Sequence, residues 1–293
     1  MSHAAEEIAS QPACWAAAAD LVPKVAGLLP APGERTAVVG CGTSYNMALA
    51  YAWLREEAGQ GLTDAMSASE LHPHRDYDRY LFISRSGTTS EILGALAQVP
   101  PGRPVTAFTV GERSPLAEAV PSVRLEFAHE RSVVQTRFAT SLLMLLRTHL
   151  GEDPGPLVEQ AQRALAAPLP DGALHAERFT FLGRGWTVGL AHEAALKLRE
   201  AAQAWTESYP AMEVRHGPIS ILDKASVVWC FGEPPTGLAT DVQATGAGFV
   251  RSELDPLAEL VRAQRLAVVL AGARGLDVDH PRNLSFSVVL GKE

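Results

Sequence analysis

Along the whole chain, short apolar runs alternate with longer amphipathic stretches. The runs RTAVVG (35–40), RYLFIS (79–84), RPVTAFTV (103–110) and SVRLEF (122–127) are rich in β-branched and aromatic residues and predict strands. Between them, TSYNMALAYAWLREEAG (43–59), TTSEILGALAQV (88–99) and QTRFATSLLMLLRTHL (135–150) carry apolar residues at helical spacing. Residues 3–29 also read as helix, interrupted near Pro12 and Pro23. The stretch GEDPGPLVEQ (151–160), rich in Gly, Pro and acid, reads as the start of a linker. After it the order repeats. RFTFLG (178–183) and ASVVWCFG (225–232) predict strands on either side of a loop and helix, and the apolar runs RLAVVLAG (265–272) and LSFSVVL (284–290) close the chain.

Strands alternating with helices imply an α/β fold, with mostly parallel sheets covered by helices on both faces. The two halves also keep register. Gly40-x-Gly42 has a counterpart in Gly183-x-Gly185, and the strand around Leu81 has one around Val227. This predicts two tandem lobes, residues 1–153 with a helical lead-in and residues 154–293 with a C-terminal tail, arising by duplication of one α/β unit.

Composition narrows the function classes. The net charge of −8 argues against nucleic-acid binding, which needs a basic face. An anionic small molecule stays compatible, because backbone donors hold anions in acidic proteins. The 3 cysteines (Cys14, Cys41, Cys230) form no CxxC or Cys/His cluster, so no metal site is expected. Sparse cysteines, the absence of a basic-then-apolar leader and the absence of an apolar run of membrane-spanning length predict a cytoplasmic protein.

Two loops carry candidate chemistry. VGCGTSY (39–45) and ISRSGTTSEI (83–92) each end a predicted strand in glycine and hydroxyl residues just before a helix. Helix starts hold unpaired N–H groups, and hydroxyl side chains add donors, so such loops cradle phosphates. Ser and Thr are also ordinary N-caps, and GCGTS alone fits that plainer reading. SRSGTTSE goes further, packing 5 hydroxyls (Ser84, Ser86, Thr88, Thr89, Ser90) around Gly87 where a cap needs one. Tyr45 breaks GxGxxG and no GxxxxGK[ST] is present, which counts against dinucleotides and nucleoside triphosphates. In the second half the matching strand ends in CFGEPPTG, without the hydroxyls and with Glu233, so only the first lobe is expected to hold an anion.

In TVGLAHEAALKLREAAQAW (187–205), Val188, Ala191, Ala195, Leu198 and Ala202 define an apolar helix face. Glu193, Lys197 and Glu200 lie opposite and are flanked by Leu190, Ala194 and Leu196, so they predict a narrow, partly buried polar line. A solvated stripe with one Glu–Lys pair gives the same spacing. A carboxylate in a walled line can act as a general base. Downstream, His216-Gly217-Pro218 reads as a rigid turn holding an imidazole.

Together these segments resemble the sugar isomerase (SIS) family. They are most similar to the isomerase half of glucosamine-6-phosphate synthase and to stand-alone aminosugar-phosphate deaminases and isomerases. The resemblance runs through EIASQP, CGTSY, SRSGTTSE, SVVQTR, HEAALKLREAAQAWTESYPAMEVRHGP and HPRNLSFSVVL, nearly the whole chain. It implies two flavodoxin-like lobes of three-layer αβα build. It also implies that Ser44, Ser84, Ser86 and Thr89 bind a sugar phosphate, with Gly42 and Thr43 lining the pocket and Val133 and Gln135 near the sugar. Glu200 would move a proton between C1 and C2, supported by Lys197 and Glu193. His216, supplied by a second copy in relatives, would help open the ring, which implies a homodimer with shared sites. No metal or organic cofactor is required.

Three departures shape the functional expectation. Phe286 stands where the synthase has its imine-forming tail lysine, and Arg85 stands where the family usually has Gln, so that it is expected to add a cation beside the phosphate or to reshape the pocket. The chain starts Met1-Ser2 without an N-terminal nucleophilic cysteine, which leads us to expect deamination or simple isomerisation rather than glutamine-dependent synthesis. The expected activity is an aminosugar-6-phosphate deaminase or isomerase. The alternatives are a ketose–aldose isomerase on a phosphosugar without the amine and a non-catalytic phosphosugar sensor.

Overall fold

The computed structural model describes residues 2–111 and 113–291. The chain divides into two compact units, neither of them continuous in sequence. One comprises Ala13–Glu130, Arg137–Pro154 and the tail from Ser285 on; the other comprises the residues up to Pro12, Arg131–Thr136 and Gly155–Leu284.

The first unit holds five strands: β1 (Thr36–Gly40), β2 (Thr63–Ser67), β3 (Arg79–Ile83), β4 (Val105–Thr109) and β5 (Ser122–Arg124). They form one sheet in the order β2-β1-β3-β4-β5, and every pairing is parallel. Parallel strands cannot be joined by tight hairpins, so longer crossovers connect them, most of them through an α-helix. The second unit holds β6 (Arg178–Gly183), β7 (Trp205–Pro210), β8 (Ser226–Cys230) and β9 (Gly248–Val250), also all parallel, in the order β7-β6-β8-β9. Both sheets thus place the first strand between the second and the third.

Among the described residues there are ten α-helices: α1 (His3–Ala9), α2 (Gln11–Val25), α3 (Thr43–Glu57), α4 (Ser90–Leu96), α5 (Pro115–Ala119), α6 (Arg137–His149), α7 (Pro154–Ala166), α8 (Thr187–Ala202), α9 (Leu238–Ala244) and α10 (Pro256–Ala273). In the first unit, Ala37, Val39, Tyr80, Phe82 and Ala107 of the strands bury against Ile92 and Ala95 of α4 and Leu116 of α5. On α2 and α6, the buried Trp15 indole donates to Thr140 Oγ1 at 3.0 Å. In the second unit, Leu182, Val228 and Cys230 pack with Leu238 and Val242 of α9, while α8 and α10 lie against one another.

Some expectations from the pattern need correction. The break near Pro12 falls at Ser10, and Pro12 sits in the first turn of α2, where a missing N–H costs nothing. Pro23 stays inside α2, two residues from its end. The linker reading of 151–160 shrinks to three residues, because α7 starts at Pro154. The apolar run 265–272 is the second half of α10, a helix opened by Asp255, whose carboxylate accepts from Leu257 N at 2.9 Å. The run 284–290 forms neither strand nor helix.

Candidate active site

In the first unit, β1 and β3 are neighbours whose outgoing connections part to opposite sides of the sheet, a switch point where α/β sheets bind ligands. The two hydroxyl loops leave from these two strands. After β1, Gly40 is a packing requirement. A Cβ there would lie 2.6 Å from Ser44 C and 2.7 Å from Tyr45 N, in the first turn of α3. Gly183 repeats this after β6, where a Cβ would meet Thr187 O of α8 at 2.3 Å. Gly42 heads α3 at φ +53°, and Thr43 and Ser44 behind it are buried.

After β3 comes the Ser84–Thr89 loop. The buried Ser84 Oγ accepts from Gly87 N at 3.1 Å and braces the turn. Arg85 points inward: its guanidinium meets Glu130 at 3.0 Å, with side-chain exposures of 2% and 0%. It also donates to Phe286 O at 3.2 Å and lies 3.8 Å from the centroid of the Phe286 ring. The remaining hydroxyls converge on the tail. Ser86 Oγ donates to Ser287 Oγ at 3.1 Å, Thr88 Oγ1 donates to it at 2.9 Å, and Thr89 Oγ1 lies 3.4 Å from it.

The second unit carries the acid–base candidates. Lys197 Nζ lies 3.3 Å from Glu193 Oε1 and 2.5 Å from Glu200 Oε2, with side-chain exposures of 1%, 0% and 20% respectively. The polar line on α8 is therefore buried at Glu193 and Lys197 and opens toward water at Glu200. Burial works against the Lys197 charge, but the two carboxylates more than offset it and raise its pKa above the ordinary lysine value. Glu200 borders a cleft of about 330 Å³ that is also lined by Arg199, Gln203, Arg282 and Asn283. His192, on the same helix, meets Ser208 Oγ at 2.8 Å; burial and then Arg199 push its pKa down.

His216 ends a 3₁₀ turn, Ala211–His216, and is exposed; Gly217 follows at φ +134° and links it to a second such turn. Val133 N donates to Asp279 O at 3.0 Å. Half-buried Gln135 keeps an Oε1 that is closed to solvent and has no hydrogen-bond partner among the described residues. Glu7 of α1 braces this segment, its carboxylate accepting from Arg131 N at 2.5 Å and Ser132 N at 3.3 Å. After β8, Glu233 is exposed and faces Arg251 at 3.7 Å.

Sequence reasoning missed Glu130, Ser287, Arg199 and Arg282. Glu130 gives no local signal, since its partner is 45 residues away. Ser287 sits in an apolar run that reads as core, and the two arginines are ordinary surface types by spacing. Among the described residues, no group of three or more His, Cys, Asp or Glu side chains is placed to hold a metal.

The fold defined by these sheets and helices is that of enzymes acting on sugar phosphates. A glucosamine-6-phosphate deaminase of Thermotoga maritima superposes with a TM-score of 0.82 at 25% identity, covering 99% of this chain and 100% of that one. The C-terminal domain of glucosamine-fructose-6-phosphate aminotransferase of Francisella tularensis has a TM-score of 0.75 at 22% identity, covering 96% and 98%. In sequence, the chain is 29% identical to the isomerizing glutamine–fructose-6-phosphate aminotransferase of a Nostoc species, over 88% of this chain and 52% of that protein. The chain spans about half the length of the curated relatives it matches. No family model matches it.

Proposed function

We propose that the chain is a sugar isomerase (SIS) protein of two related lobes and that it acts on an aminosugar 6-phosphate such as glucosamine 6-phosphate. It moves a proton between C1 and C2, and water then releases the amine as ammonia and leaves the ketose phosphate. The observation that carries this reading is the line of Glu193, Lys197 and Glu200 on α8: two carboxylates and one ammonium, closed to water except at Glu200. A surface charge stripe has no such gradient of exposure.

In this reading Ser86 and Thr89, with Ser44, Thr43 and Gly42, bind the phosphate group, and Ser84 holds the turn that presents them. Fixing the phosphate holds the open-chain sugar in one pose and turns binding energy into orientation. Glu200 takes the proton next to the carbonyl or imine and returns it at the neighbouring carbon. Lys197 stays cationic and fixes the Glu200 carboxylate, while Glu193 anchors Lys197 from the buried side. His216 of a second copy assists ring opening, so the active species is a homodimer. The similarity to the Thermotoga maritima deaminase supports the substrate class.

The test is direct. Incubation with glucosamine 6-phosphate should release ammonia and fructose 6-phosphate in equal amounts. Glu200→Gln should lower kcat at least about a hundredfold, and Ser86→Ala should act mainly on KM. Equal turnover by wild type and Glu200→Gln would refute the assignment. A second reading, ketose–aldose isomerisation of a phosphosugar without nitrogen, is favoured by Phe286, which offers no amine for an imine. It predicts solvent deuterium exchange at C1 of a ketose phosphate or C2 of the matching aldose phosphate, with no ammonia from any substrate.

A further inference from the structure

Two of the departures from the resembled pattern, Arg85 and Phe286, meet each other. The guanidinium lies 3.8 Å from the ring centroid and donates to the Phe286 carbonyl at 3.2 Å. Arg85 is itself fixed by the buried Glu130, whose other carboxylate oxygen accepts from Phe138 N at 3.3 Å. On the far side, the tail is pinned to Ser90: Ser90 N donates to Val288 O at 3.0 Å, and Leu290 N donates to Ser90 Oγ at 2.8 Å. These contacts on either side hold Ser287 in place.

That place is the centre of the hydroxyl loop. A hydroxyl has two acceptor lone pairs and one proton. Ser287 Oγ accepts from Ser86 and Thr88 and has Thr89 Oγ1 in range for its own proton. Its capacity is thereby filled, and the protons of Ser86 and Thr88 are committed to it. An oxygen of a phosphate monoester bound by the same hydroxyls would need those protons, and would need the position Ser287 Oγ holds.

We infer that Ser287 stands in for a ligand oxygen in the anion seat, and that Arg85 and Phe286 are positioning residues that hold it there. Phosphate therefore binds in competition with the protein's own tail. The inference rests on the proposed reading of the loop as the phosphate seat. It gives Arg85 a defined part: its charge faces Glu130 and the tail, and it acts on the ligand through Ser287. A seat filled by a neutral hydroxyl also leaves these half-buried donors satisfied when no ligand is bound.

The experiment is calorimetric titration of the full chain with inorganic phosphate and with glucosamine 6-phosphate. Ser287→Ala removes the competing oxygen, and Phe286→Ala frees the tail at a side chain already 37% exposed, so both should fold. Each should tighten phosphate binding about three- to tenfold, the equivalent of one net hydrogen bond. Ser287→Asp, which places a carboxylate in the seat, should weaken it. Damage to the loop lowers affinity, so a gain cannot come from mere disruption. Weaker binding by Ser287→Ala would make Ser287 a direct ligand and overturn the inference, as would unchanged affinity in both alanine variants. If wild type binds and Ser86→Ala abolishes binding while the tail variants change nothing, the seat stands and only this inference falls. If neither wild type nor Ser287→Ala binds phosphate, the reading of the loop as a phosphate seat falls as well.

Discussion

Lys197 Nζ lies 3.3 Å from Glu193 Oε1, and both side chains are closed to solvent. Such a pair is costly to break from one side, because the partner left behind is a buried, uncompensated charge. Lys197→Met should destabilise the fold by about 3–5 kcal/mol. Adding Glu193→Gln in the same chain should restore most of that loss. Urea denaturation of the two variants beside wild type decides it; equal loss in both would mean the pair is not the cause.

Stability should also fall on mild acidification. Burial, then Arg199, lowers the His192 pKa from its ordinary 6.5. Below pH 6.5 the unfolded chain takes up a proton that the folded chain refuses, so folding weakens as pH drops from there to the lowered value. Lys197 behaves oppositely: its raised pKa keeps its contribution whole through neutral pH, to be lost only as pH rises above about 10.5. Unfolding midpoints at pH 5.5 and 7.5 should differ less in His192→Gln than in wild type.

The glycines that end β1 and β6 should not tolerate a methyl group. Gly40→Ala and Gly183→Ala place a Cβ 2.6 Å and 2.3 Å from helix backbone, which cannot yield as a side chain can. We expect losses of at least about 1–3 kcal/mol. Gly94→Ala, inside α4 with nothing within 4 Å, should instead gain about 0.5–1 kcal/mol. Thermal melts of the three variants test both signs.

A site shared between two copies makes a quantitative claim. Glu200→Gln and His216→Ala variants should each be inactive alone. Mixed in equal amounts and allowed to exchange, half the dimers are hybrids, and each hybrid holds one intact site. Activity should then recover to about a quarter of the wild-type value. No recovery after verified subunit exchange places Glu200 and His216 of one chain in the same site, or His216 outside it.

Much of this fold is legible from the chain, and the gaps have physical causes. The central strands β1, β3, β4, β6 and β8 are buried on both faces, so they read as unbroken apolar runs. The edge strands β2 (TDAMS) and β7 (WTESYP) are half polar, and β9 has only three residues; none of them stands out. The run at 265–272 misleads because its outward positions past Arg265, Val268, Val269 and Gly272, are apolar too, which leaves no polar face there to betray the period. At the site, residue types within one loop or one helix turn could be read together. The Arg85–Phe286 stack and the Ser287 contacts span about 200 residues and leave no periodic trace.

The first helix of the chain carries one more consequence. His3 N and Ala4 N, at the start of α1, donate at 2.8 Å to the carboxylate of Asp279. During synthesis α1 is made 275 residues ahead of its anchor. The sheet of β1 to β5 can assemble while the ribosome is still working, whereas in the unit carrying Glu200 α1 must wait for Asp279 before it can dock. A nascent chain stalled before Asp279 should therefore leave α1 accessible to protease and turn to chaperones for cover.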